Sequence, residues 1–328
     1  MSRTIMVTGG TGLVGANVCR IAVESGDEVV ALVREGSDAS RLEALGVRVV
    51  RGDVAESADV ARAAKGVDAI VHCAAVLGGT YGSTDPALHD AVNLGGMVNV
   101  LDAAAAGDAK LVAIATTSYF AADETNPWTE NTPYSQPNPA ESQYTRTKRL
   151  AQQELDRRAE AGQHVQSVFP GAIYGPSPVP ERAVEKAGQN AMILRAIRGE
   201  LPRYPDIAVG WVLGEQVARR ALLAIDRGAP GGRYLAMGDN RDAYGFPAFL
   251  SLACELAGVD YRVAATPKPS EDPSVVEEFG PFAYTSEAIR PVPAFDDSET
   301  IRILDDPGVT VAEGLPRTVD WFRQTGEI

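Results

Sequence analysis

A glycine-rich turn between an apolar strand and a helix decides the fold of this chain. The stretch Thr8-Gly9-Gly10-Thr11-Gly12-Leu13-Val14-Gly15 directly follows a β-prone run at residues 4–8 and opens a segment, 13–25, with apolar residues at helical spacing. Glycines in this pattern permit a tight turn, close approach of backbone to a pyrophosphate, and close packing of helix on strand. The unpaired N–H groups at the start of the helix favour anions. The turn therefore predicts a dinucleotide site built from Gly9, Thr11, Gly12, Leu13, Val14 and Gly15.

Further apolar runs follow this turn at regular intervals. They occupy residues 29–33, 47–50, 68–72, 110–115 and 165–169, which together with the first run makes six predicted strands. The runs are unbroken rather than alternating, as is typical of strands buried on both faces of a parallel sheet. The segments 87–106 and 141–161 are long enough to be crossover helices. The pattern predicts an α/β fold, a Rossmann-type doubly wound parallel sheet.

The regular alternation of predicted strands and helices ends after Pro170. Four prolines fall between positions 170 and 180, and helical and irregular segments mix from there on. A segment starting at Trp211-Val212 and continuing through 217–225 resembles a return to the sheet domain. We therefore predict a dinucleotide-binding domain over 1–175 with a return segment at 208–237. A smaller mixed lobe, 176–207 and 238–328, is expected to bind the substrate.

Composition excludes several classes of function. The chain has 328 residues, 30 basic against 44 acidic side chains and a net charge of −14, which argues against a nucleic-acid partner. The longest apolar run is about eleven residues, well short of the roughly twenty that span a bilayer. Three scattered cysteines and three scattered histidines predict neither a disulfide framework nor a metal site. We expect a cytoplasmic protein with no membrane partner.

The end of the second strand predicts which dinucleotide binds. Chains that bind NAD tend to place a carboxylate there, where it accepts the ribose hydroxyls. This chain has Val33-Arg34, with Arg41 one or two helical turns beyond, and Glu35 one position too late. A guanidinium binds a 2′-phosphate that a carboxylate would repel. The sequence favours NADP(H) over NAD(H).

Two residues after the third strand are candidates for the adenine end of the cofactor. Asp53 and Val54 follow Gly52 at the strand end. The Asp53 carboxylate is placed to bond the adenine amino group, and it is equally suited to cap a helix beginning near Ser57. The sequence leaves both roles open.

A tyrosine and a lysine form the candidate reaction site. Tyr144 and Lys148 are four residues apart on a predicted helix, and hence on one face. A phenol with a pKa near 10 is a poor base at neutral pH, and a nearby ammonium lowers that pKa. Ser118 ends the fifth strand at the predicted mouth of the site and supplies a hydroxyl. Thr116 and Thr117 compete for the same role.

Together these features resemble a known family. The glycine fingerprint, Ser118 and the Tyr144/Lys148 pair are similar to those of the extended short-chain dehydrogenase/reductases, the NAD(P)-dependent epimerase/dehydratase superfamily. The resemblance runs nearly the full length and includes residues 71–75, 93–96, 99–102 and 170–176. Within the family, Val33-Arg34 is similar to the NADPH-dependent branch around dihydroflavonol reductase.

The resemblance implies a role for each matching residue. Ser118 would polarise a carbonyl, Tyr144 would exchange a proton with it, and Lys148 would lower the pKa of the tyrosine and anchor the ribose. Asn93 matches a position that helps to relay protons in relatives. Ala74, Pro170 and Ile173 match further cofactor contacts, with the last two at the nicotinamide. Relatives also pair the helices at 87–106 and 141–161 into a homodimer.

One departure from the family and one group of apolar residues narrow the predicted chemistry. Ser118-Tyr119 stands where sugar dehydratases carry Asp-Glu, which disfavours dehydration. Tyr119, Phe120 and the 77–82 loop predict an apolar pocket suited to a carbonyl compound rather than a nucleotide sugar. We therefore expect an NADP(H)-dependent reductase of a small-to-medium ketone or aldehyde. The alternatives are a nucleotide-sugar epimerase with tightly bound NAD and a non-catalytic cofactor-sensing or interaction protein.

Overall fold

Seven parallel strands form the central sheet of the computed structural model. The structure describes residues 2–78, 82–121, 127–138, 141–185, 188–207, 209–238, 244–279 and 295–328. The strands of the central sheet are β1 (Thr4–Thr8), β2 (Glu28–Val33), β3 (Arg48–Arg51), β4 (Ala69–His72), β5 (Lys110–Ile114), β6 (Val165–Pro170) and β10 (Arg233–Ala236). Their order is β10-β6-β5-β4-β1-β2-β3, and every pair is parallel. The predicted doubly wound sheet is confirmed.

Four shorter strands lie outside this sheet. They are β7 (Ala172–Tyr174), β8 (Arg203–Tyr204), β9 (Trp211–Leu213) and β11 (Ala264–Ala265). Strand β7 pairs with β9, and β8 pairs with β11, and each of these pairs forms a two-stranded parallel sheet.

The first half of the chain alternates strands with helices. The first six helices are α1 (Leu13–Glu24), α2 (Ser40–Ala44), α3 (Ser57–Ala63), α4 (Pro86–His89), α5 (Gly96–Gly107) and α6 (Gln143–Glu160). A π-helical turn, Asp90–Gly95, joins α4 to α5. The predicted crossover segment at 87–106 therefore consists of three consecutive helical pieces, while the segment at 141–161 is one long helix.

Seven further helices belong to the second half. They are α7 (Pro180–Ala183), α8 (Gln189–Ile197), α9 (Gly214–Arg227), α10 (Phe246–Ala257), α11 (Ser274–Phe279), α12 (Ser298–Leu304) and α13 (Val311–Thr325). Helix α13 begins with a capping box in which the side chains of Thr310 and Glu313 each accept from the other's backbone N–H.

Apolar side chains cover both faces of the sheet. On one face, Ile5 and Val7 of β1 pack with α1 and α9 through buried residues such as Val18 and Val217. On the other face, Met6 joins a second core cluster with helices α3, α5 and α6. Successive residues of β1 thus point to opposite cores, which is why the strand reads as an unbroken apolar run.

The prediction of six strands was one too few. The seventh, β10, pairs with β6 in the register Tyr234↔Val168 and extends the sheet beyond it. The segment at Trp211, predicted to begin a return to the sheet domain, forms β9, which pairs with β7, and α9 then leads to β10. Strand β10 reads Arg-Tyr-Leu-Ala and contains no β-branched residue, unlike the equally short β3 and β4, so its sequence favours a strand less clearly.

A separate apolar core lies in the later part of the chain. Tyr174, Trp211 and Phe249 contribute to it, with the rings of Trp211 and Phe249 stacked. Helices α8, α10 and α13 supply most of its other members. The proposed boundaries of the substrate lobe, 176–207 and 238–328, stay a prediction.

Among the described residues, no helix is both long enough and apolar enough to cross a membrane. The same part of the chain holds no cluster of three or more potential metal ligands among its His, Cys, Asp and Glu side chains.

Candidate active site

The glycine-rich turn has the shape that the sequence predicted. Gly9 adopts a φ of +69°, and a Cβ there would lie 2.8 Å from the backbone nitrogen of Ala74. A Cβ at Gly15 would lie 2.2 Å from the Gly9 carbonyl oxygen. Both positions therefore require glycine because of the protein's own backbone.

Gly12 is different, because the protein itself leaves space beside it. It is the N-cap of α1 in an extended conformation, and a Cβ there would meet the Gly9 oxygen at an ordinary 3.4 Å. No side chain caps the helix, and its first turn carries no acidic residue. The first-turn amides, at Leu13 and Val14 among others, lack intrahelical partners and can bind an anion. These features fit a pyrophosphate next to Gly12, with Thr11 on the same turn.

A buried threonine–histidine contact ties this turn to the neighbouring strand. Thr8 Oγ1 lies 2.7 Å from His72 Nδ1 and accepts a hydrogen bond from the Ala74 N–H at 3.2 Å. Burial, with a smaller effect of the Lys148 charge, lowers the pKa of His72 to about 3. The imidazole is therefore neutral at physiological pH. Ala74 is thereby placed against Gly9, at the edge of the predicted cofactor site.

A cavity of about 380 Å³ lies beyond the ends of β2 and β3. Its lining residues are Arg34, Glu35, Arg51, Gly52, Asp53, Asp59 and Arg62. The structure thus brings Arg34 and Asp53, both predicted cofactor contacts, into one cavity. Arg41 is placed elsewhere, because its Nη2 pairs with Glu181 Oε1 at 2.9 Å on the exposed surface.

Asp53 does not cap a helix. Its Oδ1 accepts the Ala55 N–H at 2.9 Å, whereas the N-cap of α3 is Glu56, with no side-chain hydrogen bond. The N-cap alternative is therefore wrong. Val54 is buried, packs against Gly96 and accepts a hydrogen bond from Asn99 through its carbonyl.

Helix α6 carries Tyr144 and Lys148 into the site. Ser142 caps its N-terminus by accepting the Thr145 N–H, which starts the helix just before the tyrosine. Tyr144 is half-buried. Lys148 is 5% exposed, and its Nζ donates to the Ile114 carbonyl at 2.8 Å, at the end of β5. The two side chains therefore meet the sheet at the carboxyl edge of β5.

Burial governs the proton affinity of both groups. It lowers the pKa of Lys148 to about 8, with a small opposing effect of Cys73. Burial also raises the pKa of Tyr144, and a side-chain hydrogen bond with Thr116 partly offsets that rise. In the cofactor-free protein the phenol is thus fully protonated at neutral pH.

The structure brings Thr116, rather than Ser118, to the phenol. Ser118 is exposed, in a turn closed by the Phe120 N–H and the Thr117 carbonyl. Its own N–H donates to Thr116 Oγ1 at 3.2 Å. Of the three consecutive hydroxyls, Thr116 is the one that forms a hydrogen bond with Tyr144. Thr116, one of the competitors that the sequence offered, thus has the placement expected of Ser118, and the hydroxyl that acts on a substrate oxygen stays a prediction.

Asn93 occupies the π-helical turn and joins three elements. Its Oδ1 accepts the Val76 N–H at 2.8 Å, and its Nδ2 lies 3.1 Å from the Val76 carbonyl. The same Nδ2 lies 3.2 Å from Thr147 Oγ1 and from His89 Nδ1. Asn93 thus connects α6, next to Lys148, with the segment after β4. Its predicted part in proton relay stays a prediction.

Pro170 and Ile173 lie at the carboxyl end of β6. Pro170 is the last residue of that strand and pairs with Ala236, and Ile173 lies in β7 opposite Val212. Between them, Gly171 leaves no room for a Cβ, which would lie 2.1 Å from the Gly210 oxygen. Both predicted nicotinamide contacts are therefore on the edge of the sheet that also holds the end of β5.

The structure separates the residues that were predicted to form the walls of the substrate pocket. Tyr119 is fully buried and Phe120 is 5% exposed, and both pack into an aromatic cluster with Phe169. Their assignment to the pocket was wrong, since the turn after Thr117 directs them into the core. The 77–82 loop does reach the site, because a Cβ at Gly78 would lie 2.7 Å from Tyr144 Cβ. Residues 79–81 lie outside the described residues.

Sequence reasoning missed Arg51 and Arg62, which line the cavity beside Arg34. Arg51 is the last residue of β3. Arg51, like Arg34, is a charged residue at the carboxyl end of a parallel strand, and this position is a signal that the sequence contains.

Replacing the buried lysine is expected to stabilise the cofactor-free protein. The pKa of Lys148 falls from 10.5 to about 8 on folding, so at pH 7 its burial opposes folding by up to about 3 kcal/mol. Lys148→Met removes that cost but leaves the Ile114 carbonyl without its donor, at about 1–3 kcal/mol. We expect a net gain of about 1 kcal/mol in the free energy of unfolding, measured by urea denaturation at pH 7.

The pH dependence of this gain identifies its cause. Between about pH 8 and 10.5 the folded wild type has released the Lys148 proton and the unfolded chain still holds it, so wild-type stability rises with pH. The advantage of Lys148→Met should shrink over this range. A variant less stable at pH 7, by an amount independent of pH, would contradict the assignment.

Comparison with known proteins identifies the family. The family model described as "NAD dependent epimerase/dehydratase family" matches residues 5–234. The chain is 30% identical over 239 residues, 72% of its length and 70% of the relative's, to "Sterol demethylase protein B" of Methylococcus capsulatus. It is 29% identical to a "Putative dihydroflavonol 4-reductase" of Synechocystis sp., with 100% of this chain and 97% of that one covered.

A solved structure shares the fold over the whole chain. A nucleoside-diphosphate-sugar epimerase from Pseudomonas aeruginosa superposes with a TM-score of 0.80 at 20% identity, covering 100% of both chains. At that level of identity the likeness concerns the fold alone. With the family match over more than two thirds of the sequence, it leads to one conclusion: this chain belongs to the NAD-dependent epimerase/dehydratase family, with an extended short-chain dehydrogenase/reductase fold.

Proposed function

We propose that this protein transfers a hydride between NADP(H) and a small-to-medium ketone or aldehyde, or the corresponding alcohol. The observation that carries the proposal is the placement of Thr116, Tyr144 and Lys148 at the carboxyl edge of β5. Tyr144 has a hydroxyl partner in Thr116, and the helix that carries it also carries a buried ammonium one turn away. A phenol so placed exchanges a proton with a substrate oxygen.

Each residue of the site has a separate role in the reduction of a carbonyl. The bound dinucleotide supplies the hydride when reduced. Thr116 donates a hydrogen bond to the carbonyl oxygen and so favours the negative charge that develops there. Tyr144 gives its proton to the same oxygen, and the positive charge of Lys148 stabilises the resulting phenolate. In alcohol oxidation the same groups act in reverse.

Lys148 needs to keep its proton for this purpose. Its pKa of about 8 leaves it charged at neutral pH. The raised pKa of Tyr144 keeps the phenol protonated at neutral pH, so that its proton is available to the oxygen of a substrate that accepts hydride.

The cofactor preference rests on Arg34. It follows β2 directly, is exposed, and lines the cavity beyond the ends of β2 and β3. Of the three carboxylates that line this cavity, Asp53 accepts the Ala55 N–H and Asp59 pairs with Arg62, and the third belongs to Glu35, next to Arg34. The cavity therefore offers a guanidinium to a 2′-phosphate, which favours NADP(H).

An apolar carbonyl compound fits the entrance better than a sugar nucleotide. Leu77, beside the Gly78 that packs on Tyr144, is 45% exposed and is one of three large apolar side chains exposed among the described residues. Two relatives described as a sterol demethylase protein and a dihydroflavonol 4-reductase support a substrate other than a sugar nucleotide.

A comparison of the two cofactors tests the proposal. Purified protein is mixed with NADPH or NADH and a panel of aromatic, aliphatic and steroid-like carbonyls, and loss of reduced-cofactor absorbance is followed. We expect kcat/KM with NADPH to exceed that with NADH by about 10–100-fold, the value of a charge-assisted contact. In Arg34→Met the ratio should approach one. Equal use of both cofactors by wild type would refute the NADP(H) preference, and absence of turnover with every carbonyl would refute the reductase.

A further inference from the structure

Arg51 bridges the end of β3 to the turn that carries Arg34. Its Nη1 donates to the Ser37 carbonyl at 2.7 Å and to the Arg34 carbonyl at 3.3 Å. The turn is closed on itself by the Ser37 N–H, which donates to the Arg34 carbonyl at 3.2 Å, and Gly36 within it has a φ of +75°. One nitrogen of Arg51 thus holds both ends of a single tight turn.

The turn has little else in the described structure to hold it in place. Arg34, Glu35 and Gly36 are all exposed, and a Cβ at Gly36 would meet no atom within 4 Å. Arg51 lies on the neighbouring strand, which is part of the rigid sheet through its pairing Val33↔Arg51. A hydrogen bond from a charged donor is stronger than one between neutral groups. Arg51 therefore anchors the exposed turn to the sheet.

Neighbouring groups leave Arg51 free for this task. Arg62, the third arginine of the cavity, pairs with Asp59 at 2.8 Å. Another nitrogen of Arg62 donates to the Arg51 carbonyl, at 2.6 Å, and so steadies the end of β3. Asp59 in turn accepts the Asp53 N–H at 2.9 Å. The Asp53 and Asp59 carboxylates thus have partners other than Arg51, and the Arg51 guanidinium donates to the turn.

We propose that Arg51 is a second determinant of cofactor preference, a positioning residue that acts through Arg34. By fixing the backbone at both ends of the Arg34–Ser37 turn, it holds the Arg34 guanidinium towards the cavity. It thereby lowers the ordering cost of binding a phosphate monoester on the adenosine ribose. The inference rests on the proposed use of NADP(H), and it assigns part of that preference to a residue outside the strand that bears Arg34.

Binding of two adenosine fragments tests this inference without catalysis. The probes are adenosine 2′,5′-bisphosphate and adenosine 5′-monophosphate, and their dissociation constants are measured by calorimetry on the full chain. In Arg51→Met we expect the bisphosphate to bind about 10-fold more weakly, with the monophosphate unchanged. Arg51→Lys restores a single charged donor nitrogen and should recover most of the loss. Arg48→Met is the matched control, because Arg48 is exposed at the opposite end of the same strand.

A double variant separates positioning from direct contact. If Arg51 acts through Arg34, then Arg51→Met should have no further effect in an Arg34→Met background. Additive losses would overturn the positioning role, and so would equal weakening of both probes by Arg51→Met. If wild type binds the bisphosphate more tightly than the monophosphate, and Arg34→Met but not Arg51→Met removes this difference, the inference about Arg51 alone is overturned. Equal binding of both probes by wild type would overturn the NADP(H) preference together with it.

Discussion

Tyr144→Phe is expected to lower kcat for carbonyl reduction by about 10²–10⁴-fold, the usual contribution of a positioned proton donor. Phenylalanine keeps the ring that packs beside Gly78 and removes only the hydroxyl that meets Thr116. Binding of NADPH should therefore be preserved. The measurement is kcat with a saturating carbonyl substrate, alongside fluorescence titration of the cofactor.

Tyr261→Phe is the control for this variant. Tyr261 packs near Gly199 in the core of the later part of the chain. Its replacement by phenylalanine is expected to leave kcat unchanged. A Tyr144→Phe protein that binds NADPH and retains more than about a tenth of wild-type kcat would remove the tyrosine from the mechanism.

The same assay distinguishes the two candidate hydroxyls. Thr116→Val preserves the shape of the side chain and removes the hydrogen bond to the phenol, so kcat should fall by about 10-fold or more. Ser118→Ala alters an exposed turn residue and should change kcat by less than about 2-fold, since surface changes away from a site cost little. The reverse order of the two effects would restore the role to Ser118.

Gly12→Ala is expected to abolish tight cofactor binding while leaving the fold intact. The new methyl meets the Gly9 oxygen at an ordinary 3.4 Å in an extended backbone conformation that alanine also adopts. It occupies the space beside the first-turn amides that a pyrophosphate needs. We expect the Kd for NADPH to rise by about 10–100-fold, the cost of overpacking a tight contact, with an unchanged melting temperature.

Unlike Gly12→Ala, Gly15→Ala should lower the stability of the protein as well as its affinity for the cofactor. Its methyl would lie 2.2 Å from the Gly9 oxygen, so the turn itself has to move. We expect loss of cofactor binding together with a loss of about 1–3 kcal/mol in stability. Gly107→Ala, whose methyl meets nothing within 4 Å, is the control for both. Normal NADPH binding by Gly12→Ala would contradict the placement of the pyrophosphate.

Much of the fold was predictable because parallel strands are buried on both faces. Each of the six predicted strands lies within about two residues of an observed one, since unbroken apolar runs mark such strands clearly. The glycine turn was predictable for a local reason, because backbone contacts at Gly9 and Gly15 exclude any side chain. Strand β10 was missed because its residues, Arg-Tyr-Leu-Ala, include no β-branched side chain, and its pairing with β6 is a long-range contact.

The site was less predictable where the chain turns sharply. Sequence spacing placed a hydroxyl opposite Tyr144 but did not decide among three consecutive residues. The turn closed by Phe120 and Thr117 leaves Ser118 in solvent and Thr116 at the phenol. That same turn buries Tyr119, which the sequence assigned to the pocket. Such a reversal depends on local backbone geometry that neither hydrophobic period nor motif spacing reports.

The positions of Arg34 and Arg41 also differed in how well the sequence predicted them. Arg34 was found from its position after an apolar run, whereas Arg41, predicted beside it, pairs with Glu181 instead. Exposed arginines have many possible partners, and their choice depends on elements distant in sequence. The partner of Arg41, Glu181, lies in such an element, the short helix α7 in the second half of the chain.

Transfer of a deuterium label tests the central proposal most directly. NADPH with deuterium in place of both hydrogens at C4 of its dihydronicotinamide is incubated with the protein and the best carbonyl of the panel, and the alcohol product is examined by mass spectrometry. The proposal predicts one deuterium per product molecule, bound to the former carbonyl carbon, and a rate of labelled-product formation about 10²–10⁴-fold lower in Tyr144→Phe. A product without label, or purified protein that holds NAD and equilibrates sugar-nucleotide epimers without net cofactor consumption, would contradict the reductase and establish an epimerase instead.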